Sequence, residues 1–240
     1  MSEADFPFLS VLTAAPLVGA LVVVLLPRGK PQVAKAVALA WSLAVLALTV
    51  VMWVAFNAGG ERFQFRESYT WIPAWGASFT FAADGIALVM LMLIAVLVPL
   101  VILASWHDAE RSRRSVPAYF ALLLILECTM LGVFAAADVF LFYVFFEVML
   151  VPMYFLIGSY GGHQRQYAAV KFFLYSLVGG LFMLAAVIGL WVVGGHTFDW
   201  QALSQLDISA FTSEAHSKVL PPTTHKPITA ASMIRPPTSE

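Results

Sequence analysis

The sequence predicts an all-α integral membrane protein with six transmembrane helices and one short outer β-hairpin. Three observations carry this reading. Of the 240 residues, 61% are hydrophobic and only 11% are charged, whereas a soluble domain has about 25% charged residues. The apolar residues gather into six runs, each long enough for the roughly 20 residues a spanning helix needs. The longest polar interruption alternates aromatic with polar residues, the pattern of a strand. A membrane β-barrel would show short alternating segments throughout instead.

The six runs lie at 7–26, 34–56, 84–105, 117–136, 138–160 and 168–194. The first opens on MSEADF, which is acidic, and the cations Arg28 and Lys30 follow it. A secretory signal begins with a basic stretch, so this run reads as a retained helix with the N-terminus outside. The loops after the first, third and fifth runs hold Arg28, Lys30 and Lys35, then Arg111, Arg113 and Arg114, then Arg165. The loop 57–83 holds only Arg62 and Arg66, and the connection Ala136 to Asp138 has no cation. The positive-inside bias therefore makes the odd loops cytoplasmic.

In loop 57–83 the residues Phe63, Phe65, Tyr69, Trp71, Phe79 and Phe81 tend to alternate with polar ones. Pro73 and Gly76 mark a turn between two strands. Trp71 and Trp75 suit the membrane–water interface. Two readings stand: a lid or docking hairpin, or an interfacial loop that covers helix ends. Residues 209–240 are rich in Pro, Thr and Ser without apolar periodicity, and disorder is expected there.

Several function classes are excluded. A net charge of −1 offers no basic field for nucleic acid. The single cysteine, Cys128, allows no intrachain disulfide and reads as a small packing residue. None of the five histidines stands at metal-ligand spacing, so no metal site is predicted. No Gly-rich nucleotide loop, CxxC cluster or haem pattern is present. No cofactor is expected on this chain, and any redox chemistry must lie on another.

What remains is a set of polar groups inside the apolar runs. An ionisable group at the bilayer centre costs roughly 2.5–3.5 kcal/mol on insertion scales, and such groups face protein or water. Glu147, in FFEVMLVPMYFLI, lies about 13–20 Å from either surface at 1.5 Å per residue, too deep to reach bulk water. It is either a neutral carboxyl bonded to a neighbouring helix or a group that exchanges a proton as its surroundings change. Pro152 lacks an N–H, which frees the Val148 carbonyl one turn away and favours a kink. Glu127, in LLLILECTMLG, is about 15 Å deep. The short turn between runs four and five makes them antiparallel neighbours, so the two glutamates share a depth. Lys171 lies near the start of run six. It reads equally as a snorkelling anchor or as a cation tuning Glu147. Gly179 and Gly180 read as helix packing.

The run DVFLFYVFFEVMLVPMYFLIGSYGG, followed by KFFLYSLVGGLFML, resembles the proton-translocating, antiporter-like subunits of respiratory complex I (NADH-quinone oxidoreductase), nearest the NuoM type, also called chain M or subunit 4. WIPAWGASFTFAADGIALVML resembles that family's outer hairpin and third helix. The resemblance covers residues 1–208. It implies a fourteen-helix antiporter-like fold of which this chain is the N-terminal part: helices 1–3 with the hairpin in 1–116, the start of a proton-translocating repeat in 117–194, and an outer loop and non-native tail in 195–240. It implies that Glu147 carries a proton opposite a lysine on helix seven, with Glu127 and Lys171 as possible channel partners. NADH, flavin, iron–sulfur clusters and quinone would belong to other subunits. The partners implied are the other membrane subunits of complex I, neighbouring antiporter-like subunits included, in a bacterial plasma membrane. The Mrp-type cation/proton antiporters are similar relatives, but their pattern after the glutamate departs from VPMYF. This chain departs from the family after helix six, where a lysine-bearing helix is expected and a Pro/Thr-rich tail follows. A truncated product unable to complete a proton path is the expectation, with a non-functional membrane fragment as the alternative.

Overall fold

The apolar runs fold as six long helices, because a chain in lipid must satisfy its backbone within each segment. The computed structural model describes residues 6–26, 30–107 and 115–204. The cations Arg28, Arg111, Arg113 and Arg114 and the tail 209–240 lie outside the described residues. The elements are α1 (Phe8–Leu25), α2 (Pro31–Ala55), β1 (Gln64–Ile72), β2 (Ala77–Ala83), α3 (Gly85–Ala104), α4 (Val116–Ala135), α5 (Val139–Tyr160), α6 (Arg165–Val193) and the single turn α7 (Trp200–Leu203). Six of these helices are long and apolar enough to cross a membrane, matching the six runs. Two begin earlier than apolarity alone suggests. Pro31 opens α2 as a first-turn proline whose missing N–H costs nothing there, and polar residues from Arg165 onward extend α6. Lys35, counted above with the loop cations, is consequently inside α2 and fully buried. Its ammonium stands 5.4 Å from the Trp106 ring centroid.

α4 is the central helix. It packs against α1, α2, α3 and α5, whereas the main neighbour of α6 is α5. Close approach depends on small residues. A Cβ at Gly19 would strike the Trp41 ring, and one at Gly132 would strike the Phe145 ring. Trp41 also donates Nε1–H to the Ala15 carbonyl at 2.6 Å, so the indole locks α2 onto α1 by both shape and polarity. Polar side chains on α2 and α4 satisfy themselves locally: Thr49 Oγ1 donates to Val45 O at 2.8 Å and Thr129 Oγ1 to Leu126 O at 2.9 Å.

The helices that begin at the hairpin end of the bundle share one device. The first turn of a helix leaves its N–H groups without intrahelical partners and carries a positive partial charge. At α3, Asp84 accepts from Ala87 N at 2.8 Å. At α5, Asp138 accepts from Phe140 N at 2.9 Å and Leu141 N at 3.0 Å. At α7, Asp199 accepts from Gln201 N at 2.8 Å. At α1 the acceptor comes from far along the chain: Glu67 on β1 takes Leu9 N at 2.7 Å, Ser10 N at 3.1 Å and the Ser10 hydroxyl. The helices that begin at the opposite end, α2, α4 and α6, have no side-chain cap, and α2 and α4 carry proline in the first turn instead.

The hairpin is the two-stranded antiparallel sheet expected from the alternation, turning through Pro73–Trp75 and Gly76. Gly76 has φ +67, and a Cβ there would strike the His196 carbonyl oxygen, so both conformation and space demand glycine. Between the pairs Gln64↔Ala83 and Glu67↔Phe81 the register slips by one residue. This is a bulge, and Phe65 takes φ 54 within it. The extra residue re-aims the strand and brings Glu67 to the start of α1, while the Phe65 ring packs edge-on to Phe8 at 5.8 Å. Of the two readings of this loop, covering helix ends is what these bonds describe. Arg66 pairs with Asp199 at 2.6 Å, with side-chain exposures of 25% and 31%.

The connection between α4 and α5 is held from both sides. Ala137 N donates to Thr80 O at 2.9 Å, Trp200 N donates to Ala137 O at 3.0 Å, and Val139 N donates to Phe198 O at 2.9 Å. Asp138 additionally accepts from Ser78 N at 2.9 Å and Ser78 Oγ at 3.1 Å. The start of α5 is thereby fixed to the hairpin and to the segment after α6.

These bonds rank the hairpin residues. Glu67→Ala is expected to lower the unfolding free energy in detergent by about 2 kcal/mol, since it strands buried N–H groups at a cap. Arg66→Ala, at a partly exposed pair, is expected to cost no more than about 1 kcal/mol. Thermal unfolding of the purified chain would check both, and the reverse ranking would contradict the capping account.

Candidate functional site

Residue spacing places Glu147 near the middle of α5. It lies nine residues past the Asp138 cap, about 13 Å along the axis from the hairpin end. Its side chain enters the seam between α5 and α6. Oε1 is buried and meets no hydrogen-bond partner among the described residues. The group opposite is the backbone of α6 at Gly180: a Cβ built there would collide with Oε1. The Tyr143 phenol, one turn earlier on α5, interacts with the carboxylate. The flank of α5 next to Glu147 carries Val148, Val151 and Phe155, each exposed, so the seam adjoins an apolar face.

Pro152 is buried, and α5 continues through it as one helix. Its missing N–H leaves the Val148 carbonyl without an intrahelical donor, one residue from Glu147.

Glu127 is placed differently. It lies eight residues before the end of α4, and Glu147 lies eight after the start of α5, so the two are at about the same depth. Glu127 is 0% exposed, and neither carboxylate oxygen finds a partner among the described residues. It interrupts the apolar stripe of α4 between two clusters, one holding Phe120 and Leu124, the other Leu131 and Ala135. Depth is shared by the two glutamates, but Glu127 sits within the interior built by α1 to α4 and Glu147 against α6.

Lys171 is exposed on α6, with its ammonium 5.9 Å from the Tyr167 ring centroid. Nine residues separate it from Gly180, about 13 Å along the helix. The structure therefore does not bring Lys171 to Glu147. The sequence reading did not single out Tyr143 and took Gly180 only as helix packing. Counting outward from the connection at Gly161–Gln164 puts Gly179 and Gly180 level with Glu147. That count is the signal that finds them.

A separate cavity of about 380 Å³ opens at the hairpin end, lined by Phe63, Phe134, Phe142, Met183 and Trp200 among others. It is apolar, and Glu147 does not line it.

The buried carboxyl of Glu127 yields a direct expectation. Exchanging an unpaired buried polar group for an apolar one of similar shape removes a desolvation cost. Glu127→Met is expected to stabilise the chain by about 1–3 kcal/mol, read as a raised unfolding midpoint in detergent. A destabilisation of that size would mean that the carboxyl has a partner.

Comparison with known proteins bears on this geometry. Residues 136–220 match the family described as NADH:quinone oxidoreductase/Mrp antiporter, TM. NADH-quinone oxidoreductase subunit M of Mycobacterium tuberculosis is 44% identical over a match spanning 83% of this chain and 42% of that protein. Subunit M of Rhodobacter capsulatus is 37% identical, over 79% of this chain and 36% of that one. The chain thus spans about two-fifths of the length of the curated relatives it matches. Among solved structures, respiratory complex I from Thermus thermophilus superposes with a TM-score of 0.67 at 29% identity, covering 81% of this chain and 38% of that chain. A chain of the Mrp complex from Dietzia superposes with a TM-score of 0.68 at 22% identity, covering 87% of this chain and 22% of that chain. At that identity the likeness is one of fold alone. The resemblance to the antiporter-like subunits of complex I, and among them to the subunit M or chain 4 type, holds in both sequence and fold.

Proposed function

We propose that this chain, of the subunit M type of NADH-quinone oxidoreductase, forms the N-terminal part of a proton-translocating membrane subunit in which Glu147 is the proton carrier. The carrying observation is the buried Oε1 of Glu147, without a hydrogen-bond partner among the described residues, at mid-depth in an apolar seam. The Tyr143 phenol interacts with the carboxylate from one turn away, and the other contact, at Oε1, is left open, so an approaching charge finds little at that oxygen to compete with. Such a group takes up a proton when a nearby cation withdraws and releases it when the cation returns. The resemblance implies that the cation is a lysine on the helix that follows α6 in full-length relatives. Lys171 is an anchor at the far end of α6 rather than that partner.

In this reading the chain catalyses no redox step. NADH, flavin, iron–sulfur clusters and quinone reside on other subunits, and electron transfer there drives the charges here. The exposed apolar faces of α5 and α6 pack against lipid and neighbouring membrane subunits, antiporter-like ones included. The setting is a bacterial plasma membrane with the hairpin end and the N-terminus outside. Support comes from Lys30 and Arg165, which stand at the starts of α2 and α6 opposite the hairpin, from the distribution of cations along the sequence, and from the carboxylate-capped ends on the hairpin side.

A chimera tests the assignment. Residues 1–204 would replace the corresponding part of subunit M in Rhodobacter capsulatus, and NADH-driven proton uptake would be measured in membrane vesicles. The chimera is expected to pump. Glu147→Gln is expected to reduce pumping by about tenfold or more, as loss of an acid–base group does, while NADH oxidation by a soluble artificial acceptor persists. Undiminished pumping in the Gln variant would refute the role of Glu147.

A further inference from the structure

Glu127 is buried and has no hydrogen-bond partner among the described residues, but nothing around it identifies a ligand, and the apolar cavity at the hairpin end shows no sign of its occupant. The contact between α5 and α6 carries more. Most buried carboxylates are held by donors. Glu147 Oε1 is held by none among the described residues, and what it meets is the bare backbone at Gly180. Gly180 is buried, whereas its neighbour Gly179 is exposed and a Cβ on Gly179 would meet nothing within 4 Å. The pair is therefore asymmetric: one glycine is dispensable to the packing, and the other is occupied by the glutamate.

We propose that Gly180 is a positioning residue whose missing side chain forms the seat of the Glu147 carboxyl in α6. This rests on the reading of Glu147 as the proton carrier and adds what sets its station. Because the seat is a space rather than a donor, it places the carboxyl without adding a hydrogen bond to the interaction that Tyr143 already makes. A hydroxyl or amide there would stabilise one protonation state by hydrogen bonding. Any side chain at 180 would evict the carboxyl. The atom that must yield is the tip of a flexible side chain, so the helix itself need not move. Alanine is also the better helix former. Gly180→Ala should thus displace Glu147 while leaving the fold intact, which separates position from stability.

The experiment compares the chain with its Gly179→Ala and Gly180→Ala variants in lipid nanodiscs. Each is exposed to dicyclohexylcarbodiimide, which modifies protonated carboxyls in apolar surroundings, and labelling of Glu147 is quantified by mass spectrometry. Labelling is expected to rise several-fold in Gly180→Ala only, at an unfolding midpoint no lower than that of the parent chain. The double variant Gly180→Ala with Glu147→Asp, one methylene shorter, should lose that excess at position 147. Equal labelling in the parent and both glycine variants would overturn the seat. In the chimera, Gly180→Ala should impair proton uptake and Gly179→Ala should not. If labelling shifts as expected and uptake does not, the seat stands and the proton-carrier reading falls.

Discussion

The requirement that a helix's first N–H groups find an acceptor organises one whole end of this molecule. Each helix that starts there has its first turn capped by a carboxylate: Glu67 for α1, Asp84 for α3, Asp138 for α5 and Asp199 for α7. The four differ in where they come from. Three are the residues just before their helices, and Glu67 reaches α1 from the hairpin. Since Asp138 also takes the Ser78 hydroxyl and N–H, and Asp199 also pairs with Arg66, the caps are wired into one another. Helix depth, hairpin position and the start of α5 are one linked set of bonds, and Glu147 inherits its place from that set.

Set against this thrift, the unpaired groups stand out. Ser42, Thr49, Thr129 and Ser105 return their hydroxyls to their own helices. Among the described residues, the buried side-chain atoms left without partners belong to Thr13, Glu127 and Glu147. Sites of function are where a chain departs from rules it obeys elsewhere. The two glutamates are the strongest departures because a carboxyl loses most on leaving water. They differ in company: Glu127 is enclosed by apolar clusters, while Glu147 borders a seam with an open apolar flank.

The spans were legible because lipid imposes a length on them, and the hairpin was legible because Phe65, Tyr69, Trp71 and Phe79 alternate before and after the PAWG turn. Glu147 was legible as a charge in the wrong solvent. Other features depended on geometry between distant segments, which a linear reading does not carry. Glu67 caps a helix 58 residues away, and the bulge at Phe65 that aims it changes no residue type in a recognisable way. Lys35 looked like a loop cation because its charge masked the helical start that Pro31 sets. Lys171 read equally as an anchor or as a cation tuning Glu147, because a position near the start of run six suits both, and the meeting of Glu147 with Gly180 shows how far apart along the axis they are.

The cap at Asp138 and the carboxylate at Glu147 are joined by nine residues of unbroken helix, which makes α5 a ruler. Each residue advances the side chain by 1.5 Å and turns it by about 100°. Adding or removing a single residue between the two would swing Glu147 out of the seam and toward lipid, even with every residue type kept. An insertion of seven would restore the angle but push the carboxylate about 10 Å deeper, past Gly180. The quantity that lineages of this chain have to preserve is therefore a length in sequence as much as an identity, and gaps should be absent from that interval where substitutions are tolerated.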